Sequence, residues 1–213
     1  MSLTVNEVFF SIQGEGTRVG LPCVFVRLTG CPLRCTWCDT AYAFHEGTRR
    51  EEGDVIAEIE AHPCRLALLT GGEPLAQPAA FAFVTTLLDR GWTVLVETSG
   101  HIGLEPLDRR AVAIMDVKAP GSGEAHRTEW RNVDLLKPTD ELKMVLAGRA
   151  DYEWARALLR ERRLHERCTV LLSPVHGGLD PGLLARWVLE DGLPVRVQVQ
   201  LHKYLWPDVE RGV

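Results

Sequence analysis

Short runs rich in valine, isoleucine, leucine and phenylalanine alternate along this chain with segments whose apolar residues recur at helical spacing. The strand-like runs read V-F-V-R-L, L-A-L-L-T, T-V-L-V-E-T, A-I-M-D-V-K, V-D-L-L-K, L-K-M-V-L, T-V-L-L-S and V-R-V-Q-V-Q-L. Several are apolar at consecutive positions, as strands buried on both faces of a parallel sheet are. The helical candidates between them are Asp54 to His62 with Asp54 as cap, Gln77 to Arg90 entering through Pro78, Asp151 to Arg163, and Asp180 to Asp191 with Pro181 in its first turn. This alternation predicts an α/β fold with a mostly parallel sheet.

The residues just after each strand are more telling. In barrels and open α/β sheets the chemistry gathers at the carboxyl ends of the strands. Here those ends read T-G-C, T-G-G-E-P, E-T-S-G, D-V-K-A-P-G-S-G, K-P, S-P and Q-L-H-K, so glycine and polar residues repeat along one rim. About six to eight strands in 213 residues are too few residues for a complete eight-fold barrel of typically about 250, so a partial, trimmed barrel with one open edge is expected. No linker, repeat or low-complexity segment divides the chain.

Composition narrows the classes. With 46% hydrophobic and 25% charged residues the chain is neither disordered nor fibrous. A formal charge of −5 argues against a nucleic-acid partner, and the one basic stretch, Arg156 to Arg167, carries Leu158, Leu159 and Leu164 at the spacing of an amphipathic helix with a solvated face. No run approaches the roughly 18 apolar residues of a membrane span, and the first residues lack a signal-peptide pattern, so no membrane partner and a cytoplasmic location are expected. In a reducing compartment the six cysteines are metal ligands, nucleophiles or core residues rather than disulfides. Cys23 and Cys168 sit in strand-like runs and read as buried, inert thiols; Cys64 carries no assigned role.

The remaining three, Cys31, Cys35 and Cys38, are spaced C-x3-C-x2-C in a loop punctuated by Gly30 and Pro32. Thiolate sulfur suits zinc and iron-sulfur clusters alike. A structural zinc site needs a fourth ligand, and His45, the one nearby candidate, fits no common finger spacing. A cubane held by three cysteines instead leaves one iron open to nitrogen and oxygen donors. A zinc-bearing, non-enzymatic binding module stands as the alternative.

With Trp37 as the aromatic before the last cysteine, this spacing resembles the signature of the radical S-adenosylmethionine (SAM) enzymes. The resemblance implies a 4Fe-4S cluster on Cys31, Cys35 and Cys38 whose open iron chelates S-adenosyl-L-methionine and cleaves it to a hydrogen-abstracting 5'-deoxyadenosyl radical. It also implies a trimmed radical SAM barrel over residues 1–213 as a single domain. Within T-G-G-E-P, Gly71-Gly72-Glu73-Pro74 then meets the methionine end of the cofactor, the glycines allowing close backbone approach. Thr98 and Ser99 of E-T-S-G, with Asp116, Val117 and Lys118 of D-V-K, supply groups for its ribose or carboxylate; Lys118 reads equally well as a rim salt-bridge partner.

Ahead of the cysteines, Arg27 interrupts an apolar strand. A guanidinium there needs a counter-charge, either a substrate carboxylate held in bidentate geometry or an internal carboxylate such as Glu15. The set S-I-Q-G-E-G, R-L-T-G-C-x3-C-x2-C-D-T, T-G-G-E-P, E-T-S-G, D-V-K-x-P-G-S-G and Q-L-H-K resembles the 7-carboxy-7-deazaguanine synthase family of queuosine and deazapurine biosynthesis over nearly the whole chain. That family contracts 6-carboxy-5,6,7,8-tetrahydropterin to a deazaguanine acid with loss of ammonia.

The resemblance implies that Ile12, Gln13, Gly14 and Glu15 contact the pterin, Arg27 its carboxylate, and Thr70, His202 and the carboxylate of Val213 the substrate. Ser122 and Lys143 join the cofactor contacts, and Thr40 holds a magnesium ion (Mg2+). An electron-donor protein such as flavodoxin or ferredoxin and a homodimer are the implied partners. A glycyl-radical-enzyme activase, another small radical SAM enzyme, is the nearest alternative.

Overall fold

The computed structural model describes residues 1–213. Its strands are β1 (Ser2–Ile12), β2 (Pro22–Leu28), β3 (Thr48–Glu51), β4 (Leu66–Gly71), β5 (Thr93–Thr98), β6 (Val112–Asp116), β7 (Glu141–Leu146), β8 (Thr169–Pro174) and β9 (Arg196–Val197). Its helices are α1 (Glu52–Glu60), α2 (Ala79–Asp89), α3 (Arg131–Leu135), α4 (Arg149–Arg162), α5 (Pro181–Asp191) and α6 (His202–Leu205). All nine strands form one sheet in the order β3-β1-β2-β4-β5-β6-β7-β8-β9. From β2 to β9 every pairing is parallel, while β1 runs antiparallel to β2 and β3. The two ends, β3 and β9, do not pair, so the expected partial barrel is an open sheet.

The two-residue period of the strands sorts their side chains. Val24, Val26 and Leu28 of β2, Ala67 and Leu69 of β4, and Leu142, Met144 and Leu146 of β7 join a core of 40 buried residues. The helices close this layer with Val55, Ile56 and Ile59 of α1, Phe83, Val84 and Leu87 of α2, and Tyr152, Leu158 and Leu159 of α4. Each fully buried leucine or phenylalanine contributes roughly 1.5–3 kcal/mol, so this layer carries the fold. On the other face, Cys23, Phe25, Leu66, Leu68, Leu95, Val112 and Ile114 form a separate buried cluster. Continuing along the same face toward the carboxyl ends, the strands present Arg27, Thr70, Glu97 and Asp116. An apolar floor therefore lies beneath a polar rim.

Three sequence expectations are corrected, and one element was not anticipated. The run V-D-L-L-K lies in and after α3, because Val133 and Leu136, three apart, both enter the core and Asn132 donates to the Gly100 and Ile102 carbonyls. Helix α1 begins at Glu52 with Glu51 at its cap position, ahead of Asp54. Of V-R-V-Q-V-Q-L, only Arg196–Val197 pairs as a strand. The amino-terminal segment, to which the sequence reading assigned no element, is β1, the longest strand at 11 residues. By contrast, α5 has Pro181 at its first turn as expected, and Asp180 caps it, its Oδ1 accepting from Leu183 N at 2.9 Å. Cys23 and Cys168 are buried thiols, each pushed up to about 12 by burial.

Candidate active site

A cavity of about 380 Å³ opens at the carboxyl ends of the parallel strands. One part of its wall is the loop after β2. Cys31, Cys35 and Cys38 all line the cavity, and none forms a disulfide. The loop is tied down from two sides: Thr36 N donates to Ser122 O at 3.1 Å, and Glu73 N donates to Gly30 O at 2.8 Å. Arg34 lies over the Phe44 ring at 4.2 Å and donates to the Cys31 and Leu33 carbonyls, both at 2.6 Å. Trp37 lines the same wall.

The two glycines after β4 seat this loop. A Cβ on Gly71, whose φ is +146°, would lie 2.2 Å from Leu28 O; one on Gly72 would lie 2.3 Å from Gly30 O and 2.7 Å from Cys31 Cβ. Glu73 does not reach the cavity. Fully buried, it accepts from Leu75 N, from Thr98 Oγ1 and from both N and Oγ of Ser99, at 2.7–3.0 Å. It ties the Gly-Gly turn to the end of β5, so Thr98 and Ser99 line the cavity while Glu73 braces them from behind. Val117 and Ser122 are also fully buried behind the wall: Val117 N donates to Lys143 O, and Ser122 Oγ to Ala119 O at 2.6 Å.

Asp116 and Lys118 face the cavity together, Lys118 Nζ donating to Asp116 Oδ2 at 2.7 Å. Burial opposes the ammonium charge, but the Asp116 carboxylate and the Cys35 sulfur together outweigh it and raise the Lys118 pKa above the usual lysine value. Asp116 Oδ1 is buried without a partner. A buried carboxylate oxygen left unpaired at a cavity wall is a vacant acceptor for a ligand hydroxyl or amine.

Deeper, Lys143 on β7 donates to Glu15 Oε2 at 3.0 Å and to Glu97 Oε1. Gln198 and Gln200 each donate to Glu15 at 3.2 Å, and Thr70 Oγ1 donates to Glu97 Oε2 at 3.0 Å. Burial works against all three charges. The flanking carboxylates nonetheless hold Lys143 well above the usual lysine range, while Lys143 and Thr70 hold Glu97 below its own. For Glu15 burial wins, and its carboxyl is raised. Lys143 thus belongs to the wall that carries Glu15.

Arg27 lines the cavity, and its internal partner is Glu7 rather than Glu15: Arg27 Nε donates to Glu7 Oε1 at 2.7 Å. Ile12, Gln13 and Gly14 complete this side. Gly14 leaves space for His202, whose Nδ1 would lie 2.5 Å from an added Cβ, and burial lowers the pKa of that imidazole. Thr40 lines the mouth and donates to Asp39 Oδ1 at 2.9 Å. Val213 lines the mouth as well, on a tail held by the Arg211–Glu46 pair at 2.7 Å.

The structure therefore brings every expected site residue to one cavity except Glu73, Val117 and Ser122. Glu97, Asp39, Gln198 and Gln200 are participants that the residue pattern alone did not single out. Their signal was present, since Glu97 opens E-T-S-G and Gln200 opens Q-L-H-K.

Three thiols sharing one cavity, beside a glycine turn and an unpaired carboxylate oxygen, suit a multi-iron cluster with an adjacent polar cofactor better than one metal ion. No three histidine, cysteine or acidic side chains converge as ligands of a single ion. The Radical SAM superfamily model matches residues 25–179, from β2 through the segment before α5, so this is a radical SAM enzyme.

Over 99% of its length the chain is 42% identical to the 7-carboxy-7-deazaguanine synthase of Chlorobaculum tepidum, covering 97% of that protein. It is 41% identical to the 7-carboxy-7-deazaguanine synthase of Koribacter versatilis, again over 99% of this chain and all of the relative. The chain belongs to the 7-carboxy-7-deazaguanine synthase family. In fold it resembles the crystal structure of QueE from Escherichia coli, with a TM-score of 0.79, 22% identity and 95% of each chain covered. A looser likeness, TM-score 0.60 over 79% of this chain and 73% of the other, links it to TYW1 with a lysine-pyruvate adduct bound. No helix is long and apolar enough to cross a membrane.

Proposed function

We propose that the whole chain acts as one radical SAM domain converting 6-carboxy-5,6,7,8-tetrahydropterin to 7-carboxy-7-deazaguanine by ring contraction with loss of ammonia. One observation carries this reading: Cys31, Cys35 and Cys38 line the same cavity as Arg27, Gln13 and Glu15. Cofactor and carboxylated substrate can then lie within reach of each other.

Cys31, Cys35 and Cys38 hold a 4Fe-4S cluster, which with S-adenosyl-L-methionine supplies one-electron cleavage and hydrogen abstraction. Burial pushes the free Cys31 and Cys35 thiols up, a preference that iron coordination reverses by stabilising thiolate. Gly71 and Gly72 admit the methionine end of the cofactor to the backbone. Trp37, Thr98, Ser99, Asp116 and Lys118 line its remaining surface, with the vacant Asp116 Oδ1 accepting from a cofactor hydroxyl or amine. Glu73, Val117 and Ser122 support this wall without touching the cofactor.

On the substrate side Ile12, Gln13 and Gly14 meet the pterin edge, and Arg27 binds the carboxylate through the donors that Glu7 leaves free. Glu15, steadied by Lys143, Gln198 and Gln200, accepts from the ring nitrogens, while Thr70 and His202 border the ring. Thr40 and Asp39 offer oxygen donors suited to magnesium, a hard ion that retains waters. The apolar floor of Phe25, Leu68 and Ile114 excludes water from the reacting carbons. Electrons come from a small redox protein of the flavodoxin or ferredoxin kind.

The test is anaerobic reconstitution with iron and sulfide, then reduction and mass spectrometry with S-adenosyl-L-methionine, magnesium and the carboxylated tetrahydropterin. Formation of the deazaguanine acid supports the reading. Deoxyadenosine without that acid overturns the substrate.

A further inference from the structure

The guanidinium of Arg27 has a partner that lies outside the cavity. Glu7 on β1 sits opposite Arg27 on β2 in the antiparallel register, just after a register shift between Val5 and Glu7 that re-aims the strand. Its Oε1 accepts from Arg27 Nε at 2.7 Å, and the Tyr42 hydroxyl donates to that same oxygen at 3.0 Å. The rings of Tyr42 and Phe9 both lie 5.8 Å from the guanidinium carbon. The Arg27 and Glu7 side chains are only 15% and 18% exposed. Neither Glu7 nor Tyr42 lines the cavity, whereas Arg27 does.

A guanidinium offers five donors in one rigid plane. Fixing Nε from the neighbouring strand, with the two rings close by, leaves the terminal nitrogens as a fork whose direction is set before a ligand arrives. A planar carboxylate needs that direction for two parallel hydrogen bonds. An unfixed arginine on a flexible stem must order its side chain on binding, which weakens the complex. Glu7 also partly cancels the charge of Arg27, so it would weaken anion binding if net charge were its contribution. Orientation and charge therefore predict opposite signs, and an experiment can separate them.

We propose that Glu7 and Tyr42 are positioning residues which aim the Arg27 fork and thereby make the site selective for a carboxylated ligand. The proposal rests on the reading of Arg27 as the carboxylate clamp. Glu7 supplies the acceptor, and Tyr42 holds that acceptor in place.

The test compares two ligands on the cluster-loaded, unreduced protein with S-adenosyl-L-methionine present. Dissociation constants are measured by anaerobic equilibrium dialysis for 6-carboxy-tetrahydropterin and for the tetrahydropterin lacking the carboxylate. Glu7→Ala should weaken the carboxylated ligand by roughly tenfold, the ordinary worth of one charged hydrogen bond, and leave the other ligand unchanged. Glu7→Gln keeps the acceptor and should retain most of the discrimination. In turnover, Glu7→Ala should raise KM for the carboxylated substrate far more than it lowers kcat.

Tighter carboxylate binding in Glu7→Ala, equal weakening of both ligands, or equal loss in the Gln and Ala variants overturns the proposal. Should Glu7→Ala not fold, Tyr42→Phe decides: a loss of discrimination of about threefold supports the proposal, and unchanged discrimination overturns it. Arg27→Ala separates the two levels. If it leaves discrimination intact, the clamp reading fails and the proposal with it; if it abolishes discrimination while Glu7→Ala does not, the proposal alone fails.

Discussion

Lys143 on β7 donates to Glu15, which lies 128 residues earlier in the chain, across 3.0 Å. The same ammonium holds Glu97 on β5, so one cation fixes the cavity-lining loop after β1 against the middle of the sheet. The Lys143 side chain is 7% exposed, too buried for its charge to be sustained by water alone.

Removing that cation leaves two carboxylates facing each other. Lys143→Met should therefore lower stability by about 2–4 kcal/mol, somewhat under the cost of breaking a fully buried pair because Glu97 is partly exposed. Each group sets its own sign with pH. The raised pKa of Lys143 gives stability present below pH 10.5 and lost as pH rises through its folded value; the lowered pKa of Glu97 gives stability present above pH 4.5 and lost as pH falls through its folded value. Without Lys143 both carboxylates favour protonation, so the deficit of the variant should shrink between pH 7 and pH 5. Thermal melts of both proteins across that range check it, and a deficit that grows on acidification would contradict it.

Gly72→Ala should cost the protein its cluster. The added methyl meets Gly30 O and the Cβ of Cys31, so the cysteine loop must shift, at roughly 1–3 kcal/mol for such overpacking. Iron and sulfide content after anaerobic reconstitution should fall well below that of the parent. Gly53→Ala is the control: it lies in α1 with nothing near the added Cβ, and should keep full iron while gaining up to about 0.5–1 kcal/mol.

Glu73→Gln should destabilise by about 2 kcal/mol. An amide in place of either carboxylate oxygen sets an NH2 donor against groups that donate to that oxygen in the parent protein, namely Leu75 N and Thr98 Oγ1 on one side, Ser99 N and Oγ on the other. Because Thr98 and Ser99 line the cavity, affinity for S-adenosyl-L-methionine should fall with it. Chemical denaturation and equilibrium binding read the two effects.

Asp180→Ala should cost about 1 kcal/mol through loss of the α5 cap, with kcat and KM unchanged, since α5 contributes nothing to the cavity. An altered KM would show coupling between that helix and the site.

Asp180 also illustrates what was legible in the sequence. A short acceptor ahead of proline has one local meaning, and the helix starts there; Asp54 offered the same residue type, but the preceding glutamates already fit the first turn. The strand ends were legible because apolar runs and glycine turns are local signals. V-D-L-L-K was not, since a short apolar run fits strand or helix until Asn132 finds its carbonyl partners from the 100–102 loop. Q-V-Q-L reads as alternating strand, yet the ladder stops at the bond from Gln198 N to Leu172 O, and the Gln198 and Gln200 side chains turn to Glu15. Glu7 was invisible because its meaning depends on register across a bulge. Likewise Glu73 belongs to T-G-G-E-P, but only the fold turns it toward β5.

In the proposed reaction one cavity joins a radical-generating cluster to a carboxylated pterin. Its most direct test counts product against S-adenosyl-L-methionine in the reduced, magnesium-supplied enzyme under anaerobic conditions. We expect many equivalents of 7-carboxy-7-deazaguanine per protein with S-adenosyl-L-methionine undepleted, since a ring contraction that loses only ammonia leaves no net oxidation or reduction. Deoxyadenosine accumulating with no deazaguanine acid would contradict it.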